Sequence, residues 1–446
     1  MRSLGHAQRV PPAETHSPAG PRPAAGPAAS TPRPLPGGLT LRTARPADLD
    51  QIGALLVARG EAPDALDHRL VVEDPDLGWD ACAVVVDGDR VVSTATLLDE
   101  TLRLGDVWLP AGQVELVATE VAYEGRGLVR ALMGWAHDRS AERGHLLQVM
   151  IGIPYFYRLF GYEYAIDIPP ARALADRPRP AAAPTSPTTS PAPAGPGVVL
   201  RTAEPRDIPA LAALQDQAQS GVDVAMPHPA ARWRALLAQD ASTTWVVERD
   251  GVVVASARTG PPDDDVLVAE TTATDPETAH ALLGLLVDRF GPALRIVDRT
   301  AATTGPAWAE RLEAPDPRAE QYYVRLPAPD VVLDALRPVL HGRLTAAGVD
   351  RTGRDVVLST FGRQYRMAVT GDGLGPVEVG GPLQGPGSVG GGGVAPDHLG
   401  ALLFGPRGID GLSRLRPDVY PGPDEELFTT LFPPVTADLL TYYLPW

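Results

Sequence analysis

Gln113-Val114-Glu115-Leu116-Val117-Ala118-Thr119 is followed by Tyr123-Glu124-Gly125-Arg126-Gly127-Leu128 and then Val129-Arg130-Ala131-Leu132-Met133. The first segment has the β-branched and apolar content of a strand. The second is a glycine turn. From Leu128 onward, apolar residues at Leu128, Leu132, Met133, Trp135 and Ala136 follow helical spacing. A second strand is expected over residues 146–151, followed by the aromatic run Tyr155-Phe156-Tyr157-Arg158-Leu159-Phe160-Gly161-Tyr162. A strand, a glycine turn and a helix make an anion site. Glycines let the backbone approach a ligand, and the helix start presents free N–H groups at the positive end of its dipole. Arg126 adds a cation, so a pyrophosphate suits the turn. The class read here is α/β (α+β).

Outward from this stretch the chain repeats itself. Leu41-Arg42-Thr43-Ala44-Arg45-Pro46-Ala47-Asp48-Leu49 recurs as Leu200-Arg201-Thr202-Ala203-Glu204-Pro205-Arg206-Asp207-Ile208. Each copy leads from a short strand through a proline into a helix. A hairpin follows in both, around Asp87-Gly88 and around Asp250-Gly251. Two ordered matches point to duplication. At an offset of 150 residues, Gly125-Arg126-Gly127 falls on Asp275-Pro276-Glu277. Two acids repel a pyrophosphate and a proline lacks the N–H donor, so the second copy is expected to bind no such ligand. Residues 1–38 and 175–197 are rich in Pro, Ala, Gly, Ser and Thr and read as a disordered arm and a mobile linker. The expected units are 39–174, 198–328 and a small α+β domain over 329–446. In the last, residues 331–340 read as a helix, residues 356–360 and 365–369 as a hairpin, and residues 371–393 as a long glycine-rich loop.

The passage from Thr119 to Met133 resembles the acetyl-coenzyme A signature of the GCN5-related N-acetyltransferase (GNAT) superfamily. Phe156-Tyr157-Arg158-Leu159-Phe160-Gly161-Tyr162 resembles the later FYxxFGY motif of the same superfamily. The family pattern Gln/Arg-x-x-Gly-x-Gly/Ala falls on residues 124–129, with Glu124 and Val129 departing from it. A catalytic domain, a degenerate second copy and a C-terminal domain similar to sterol carrier protein is the layout of Eis-like (enhanced intracellular survival) acetyltransferases. The resemblance therefore implies a GNAT fold in tandem, and acetyl-CoA as co-substrate with no metal. It also leaves open a homo-oligomer, hexameric in Eis-like relatives.

The resemblance further implies that the pantetheine arm lies between splayed parallel strands, here residues 114–119 and 146–151. An amine then attacks the thioester directly, without a covalent enzyme intermediate. Backbone N–H groups at Val117, Ala118 and Thr119 would meet the oxyanion. Glu124, Gly125, Arg126, Gly127, Leu128 and Val129 would hold the pyrophosphate, and Gly152 and Ile153 would line the arm. Tyr157 would be the acid that protonates the departing thiolate; packing in an aromatic cluster is the competing role. Glu115, Glu120 and the C-terminal carboxylate of Trp446 are candidate bases, the last by analogy with Eis-like enzymes.

Composition sets limits around this reading. The 446 residues carry 55 acidic against 39 basic side chains, a net charge of -16. That argues against nucleic acid as a partner and is compatible with a cationic acceptor, either a small-molecule or a protein amine. No lysine is present, which excludes Schiff-base chemistry. Cys82 is the single cysteine; it lies in the apolar hairpin strand and reads as a core residue, and disulfide frameworks are excluded. The nine histidines show no metal-ligand spacing, and His145 reads as a turn residue. No membrane span or secretory signal is read, so a cytoplasmic location is expected. A non-catalytic acyl-CoA or lipid-binding protein is the alternative function. A dinucleotide oxidoreductase is disfavoured, because Arg130 fills the third glycine position of G-x-G-x-x-G.

Overall fold

Two tight hairpins build the first sheet in the computed structural model, which describes residues 31–175, 198–315, 320–381 and 386–440. Strands β1 (Arg33–Leu35) and β2 (Leu39–Thr43) lead to helices α1 (Leu49–Arg59) and α2 (Asp64–Val72). Then come β3 (Cys82–Asp87), β4 (Arg90–Leu104) and β5 (Val107–Thr119). Gly88 and Gly105 sit at the two turns with φ of +59° and +56°, a region open to glycine at little cost. Helix α3 (Leu128–Glu142), β6 (Leu147–Met150) and β7 (Glu163–Asp167) complete the unit. Leu132, Met133, Trp135 and Ala136 of α3 join Ala83, Val85, Ala95, Leu97 and Val114 in one buried cluster. Ile52, Leu55 and Leu56 of α1 cluster with Cys82, Val84, Leu116 and Ala118. Alternation along the strands thus feeds two cores, one on each face.

The second unit repeats this plan. It runs from β8 (Ala171–Ala173) through β9 (Val198–Thr202), α4 (Ile208–Gln219), β10 (Val224–Met226) and α5 (Ala230–Ala238). Then follow β11 (Thr243–Arg249), β12 (Val252–Thr259), β13 (Val266–Ala273), α6 (Pro276–Phe290), β14 (Leu294–Val297), α7 (Thr304–Trp308) and β15 (Gln321–Arg325). The duplication extends to side chains. Arg42 grips Asp48 through two hydrogen bonds of 2.6 and 2.8 Å, and Arg201 grips Asp207 at 2.6 and 2.9 Å. Each aspartate also accepts a backbone N–H at 2.8 Å, from Arg45 and Glu204.

The two units exchange strands, so sheet membership departs from the expected boundaries. β8, from the end of the first copy, pairs with β14 in the second sheet. β15, from the end of the second copy, inserts between β6 and β7 of the first. Composition also misplaced residues 33–38. Pro34 occupies an edge strand, where a missing N–H is tolerated, and Arg33 reaches Asp138 at 2.7 Å. The rest of the expected arm and linker, residues 1–30 and 176–197, lies outside the described residues.

The C-terminal unit holds α8 (Pro329–Ala335), α9 (Arg337–Ala347), β16 (Asp355–Ser359), β17 (Gln364–Thr370), β18 (Gly373–Leu374) and β19 (Glu378–Val379). It continues with β20 (Gly392–Val394), α10 (Leu399–Phe404), α11 (Gly408–Leu415), β21 (Val419–Tyr420), α12 (Glu425–Leu431) and β22 (Ala437–Leu439). The helix expected over 331–340 is broken at Leu336, with Pro338 starting α9. The expected glycine-rich loop contributes three short strands. β22 returns to pair with β10, which pairs with β4, so the last described strand is tied to the first sheet. Among the described residues no helix is long and apolar enough to cross a membrane.

Candidate active site

β5 and β6 run parallel but pair only at Ala111 with Leu147 and Gly112 with Gln148 among the described residues. Beyond Gly112 they part. β5 continues along β4 to Thr119, while Gln148, Val149 and Met150 turn to β15. The strands expected to splay therefore do so, with the vertex just before Val114. A bulge deepens the fork: Thr96 faces Glu115 and Thr94 faces Ala118, so Leu116 and Val117 share one position opposite Ala95. Leu116 has φ of +52°. A bulge re-aims the backbone groups of a strand, and this one lies where the oxyanion donors Val117, Ala118 and Thr119 are expected.

The glycine turn follows directly. Gly125 and Gly127 have φ of +73° and +78°, and a Cβ at either would meet nothing within 4 Å. The turn is open because it is a turn and not because neighbours crowd it. No side chain caps the start of α3, so its first amides face outward unpaired, beside the helix dipole's positive end. The side chains here take other partners. Glu124 is ion-paired with Arg59, Arg126 stacks over Tyr123 at 4.6 Å, and the Tyr123 hydroxyl donates to Asp87 at 2.7 Å. The turn thus offers backbone, which fits a pyrophosphate, with Arg126 engaged alongside it.

Tyr157 stands in a short helical turn (Phe156–Phe160) on the other side of the fork. It is buried in the same cluster as Val114, Met150 and Leu128. The rings of Phe156, Tyr162 and Tyr323 lie 5.2, 6.2 and 6.0 Å from its own. Gly152 lies under it, in contact with the ring, so the structure gives Gly152 a packing role there. Ile153 has an exposed side chain, and its carbonyl lies 3.2 Å from the Tyr323 hydroxyl. Among the described residues the Tyr157 hydroxyl has no hydrogen-bond partner. Burial first, and the Glu115 charge second, push its pKa up, so it is neutral. Glu115 is buried on β5 and takes a hydrogen bond from Gln113. Burial raises its pKa to about 8. Glu120, by contrast, is ion-paired with Arg90 at the end of the strand. Trp446 lies outside the described residues.

Residues 40–165 match the family model described as an acetyltransferase (GNAT) domain. This segment, which carries the fork, the glycine turn and Tyr157, is similar to that domain. No curated protein matches the chain in sequence. Several solved structures resemble it along most of their length. A GCN5-related N-acetyltransferase from Kribbella flavida is 18% identical, covering 91% of this chain and 98% of that one, with a TM-score of 0.60. A GCN5-related N-acetyltransferase from Anabaena variabilis is 12% identical over 90% and 98%, with a TM-score of 0.61. Eis1 from Mycobacterium abscessus is 17% identical over 91% and 99%, with a TM-score of 0.57. At these identities the likeness establishes a shared fold.

In the second copy the matching helix start is closed. Only Thr274 and Asp275 separate β13 from α6, where residues 120–127 separate β5 from α3. Asp275 caps α6 itself, accepting from the Thr278 N–H at 2.8 Å. In the first copy Cys82 is wholly buried beside His68, and burial raises its thiol to about 11. It is a core residue. His145, read as a turn residue, directly follows the turn after α3 and is buried between Ser140 and Asp99. Sequence reading also missed Tyr323 and Arg325, which arrive on the exchanged strand β15 and have no local signal. Asp397, His398 and Asp418 are near enough to share a cation, in a separate cleft rimmed by Arg158, Arg407 and Arg416.

Proposed function

We propose that the chain is an acetyl-CoA-dependent N-acetyltransferase that acetylates a primary amine by direct attack in a ternary complex. The observation that carries this is the fork, which opens between an uncapped helix start and Tyr157, whose ring is buried and whose hydroxyl has no hydrogen-bond partner among the described residues. Acetyl-CoA supplies an activated thioester; the remaining tasks fall to the chain. The amides of residues 125–129 hold the pyrophosphate, and the freed edges of β5 and β6 align the pantetheine arm. The bulged backbone at Val117 to Thr119 stabilises the oxyanion. Tyr157 remains neutral and donates a hydrogen bond to the departing sulfur. Glu115, held near the ionisation range of a weak base, takes the amine proton. A Trp446 carboxylate is the second candidate for that role.

The test is thiol release from acetyl-CoA against a panel of primary amines, with wild type, Tyr157→Phe and a variant lacking Trp446. Turnover is expected with at least one amine and a fall of about 100-fold or more in kcat for Tyr157→Phe, the scale of general acid catalysis. Coenzyme A binding without turnover, indifferent to Tyr157→Phe, would instead make the chain a non-catalytic acyl-CoA carrier.

A further inference from the structure

The fork closes at one place, and a continuous chain of polar side chains lies behind it. Arg325 on β15 donates from Nη1 to Gln148 Oε1 at 2.8 Å. Gln148 donates from Nε2 to Ser140 Oγ at 2.5 Å. Ser140 Oγ, on α3, lies 3.1 Å from His145 Nδ1, and His145 Nε2 lies 3.1 Å from Asp99 Oδ1 on β4. Arg143 donates to the same Asp99 oxygen at 2.6 Å. The amide nitrogen of Gln148 can only donate, so the Ser140 oxygen accepts from it. Ser140 and Asp99 between them engage both ring nitrogens of His145.

This chain touches the vertex itself. Gln148 is one half of the last β5–β6 pair, and Gly112 is the other. A Cβ on Gly112 would lie 2.7 Å from His145 Nδ1 and 3.3 Å from Ser140 Oγ, so the β5 backbone rests on the histidine ring. Ser140 and Gln148 are almost wholly buried and His145 is 8% exposed. The connectivity of Ser140, His145 and Asp99 matches a hydrolase triad. Ser140 is nevertheless enclosed, and its oxygen already serves Gln148 and His145, so no carbonyl can reach it.

We infer that Asp99, His145, Ser140, Gln148 and Arg325 form a clamp that fixes the opening angle of the β5–β6 fork, and through it the fit of the acyl-CoA arm. The inference rests on reading that fork as the acyl-CoA site. β5 continues about 23 Å beyond the vertex at 3.3 Å per residue, so a rotation of about 5° there moves its tip by about 2 Å. Misplacements of about 1 Å can cost about 100-fold in rate. These residues are positioning residues: among the described residues none of their hydrogen bonds runs to Tyr157, Glu115 or residues 124–129.

The experiment measures coenzyme A binding by calorimetry, and the KM values of acetyl-CoA and of the amine, in Ser140→Ala, Asp99→Ala and Asp99→Asn. Asp99 is half-exposed, so its variants fold even if Ser140→Ala does not. Ser140→Ala and Asp99→Ala are expected to raise the acetyl-CoA KM and the coenzyme A Kd by about tenfold, with the amine KM within about twofold. Asp99→Asn keeps an acceptor for His145 and is expected to stay near wild type. The penalty should persist with acetyl-pantetheine, which lacks the pyrophosphate and reports on the fork alone. A folded Asp99→Ala with unchanged coenzyme A binding, or an amine KM that rises in step, overturns the clamp. A wild type that binds no coenzyme A overturns the reading of the fork and the clamp with it.

Discussion

Gly152 and Tyr157 are in contact across the start of the aromatic turn: a Cβ added at Gly152 would lie 2.3 Å from Cε2 of the tyrosine ring. Position 152 therefore sets where the hydroxyl stands. Gly152→Ala is expected to push the ring off its site and lower kcat by about 100-fold, a loss similar to that of Tyr157→Phe. The distinguishing measurement is crystallographic or spectroscopic: Gly152→Ala moves the ring, Tyr157→Phe leaves it in place. Wild-type kcat in Gly152→Ala would remove Tyr157 from the reaction.

Glu115 gives a dependence on pH. Its carboxyl is raised from 4.5 to about 8 by burial. The folded protein therefore holds this proton up to about pH 8, and the base form grows above it. If Glu115 takes the amine proton, kcat/KM rises through pH 8 in wild type. In Glu115→Gln that rise is lost, and the amine's own titration cancels when both are measured with one acceptor. The same shift acts on stability. A pKa raised on folding stabilises fully below about 4.5, and the gain is lost as pH rises through about 8. Thermal midpoints should show Glu115→Gln gaining on wild type as pH rises from about 4.5 to about 8, with the difference constant above that. A variant with unaltered kcat would transfer the role to Trp446.

The sequence was informative where the signal is local. The glycine turn, α3, the two hairpins and the repeated Arg-to-Asp entry into each copy are read within a dozen residues, because turn chemistry and helical spacing are short-range. The fork follows from two strands joined by one helix. β15 is different. Gln321-Tyr322-Tyr323-Val324-Arg325 reads as a strand in its own unit, and nothing in it reports that it leaves that unit to sit beside β6. Tyr323 next to Tyr157 and Arg325 on Gln148 are products of that packing. The partners of His145 had no local signal for the same reason, since Ser140 and Asp99 are brought to it only in the folded chain. Pro34 shows the reverse error, where composition suggested disorder and an edge strand accommodates the residue.

Stoichiometry separates the two copies. In the first copy no side chain caps α3, whereas Asp275 occupies the start of α6 with its own carboxylate. Calorimetry is expected to find one coenzyme A per chain. Gly127→Ala, at φ of +78°, costs about 1 kcal/mol of backbone strain and disturbs the amides at the start of α3. It should raise the acetyl-CoA KM about tenfold or more and leave the amine KM alone. Two sites per chain would show that the capped helix still binds.

The matched pairs Arg42–Asp48 and Arg201–Asp207 predict matched losses of stability. Both aspartates are held below their ordinary pKa: burial opposes the shift at Asp48, where the Arg42 hydrogen bonds prevail, and the Arg201 hydrogen bonds lead at Asp207. A depressed carboxyl stabilises above its unfolded pKa of about 4, and that contribution disappears as pH falls through the folded value. Asp48→Asn and Asp207→Asn should each lose about 2 kcal/mol at pH 7, the scale of hydrogen bonds to a charged group. The gap from wild type should narrow below pH 4. Chemical denaturation at pH 7 and pH 3 measures both. Asp48→Asn weakens the entry to α1 in the copy with the open turn, whereas Asp207→Asn acts in the copy without one. The second variant should therefore lose stability while its acetyl-CoA KM stays at the wild-type value. A KM that rises for Asp207→Asn would show that the second copy shapes the acyl-CoA site through the exchanged strands.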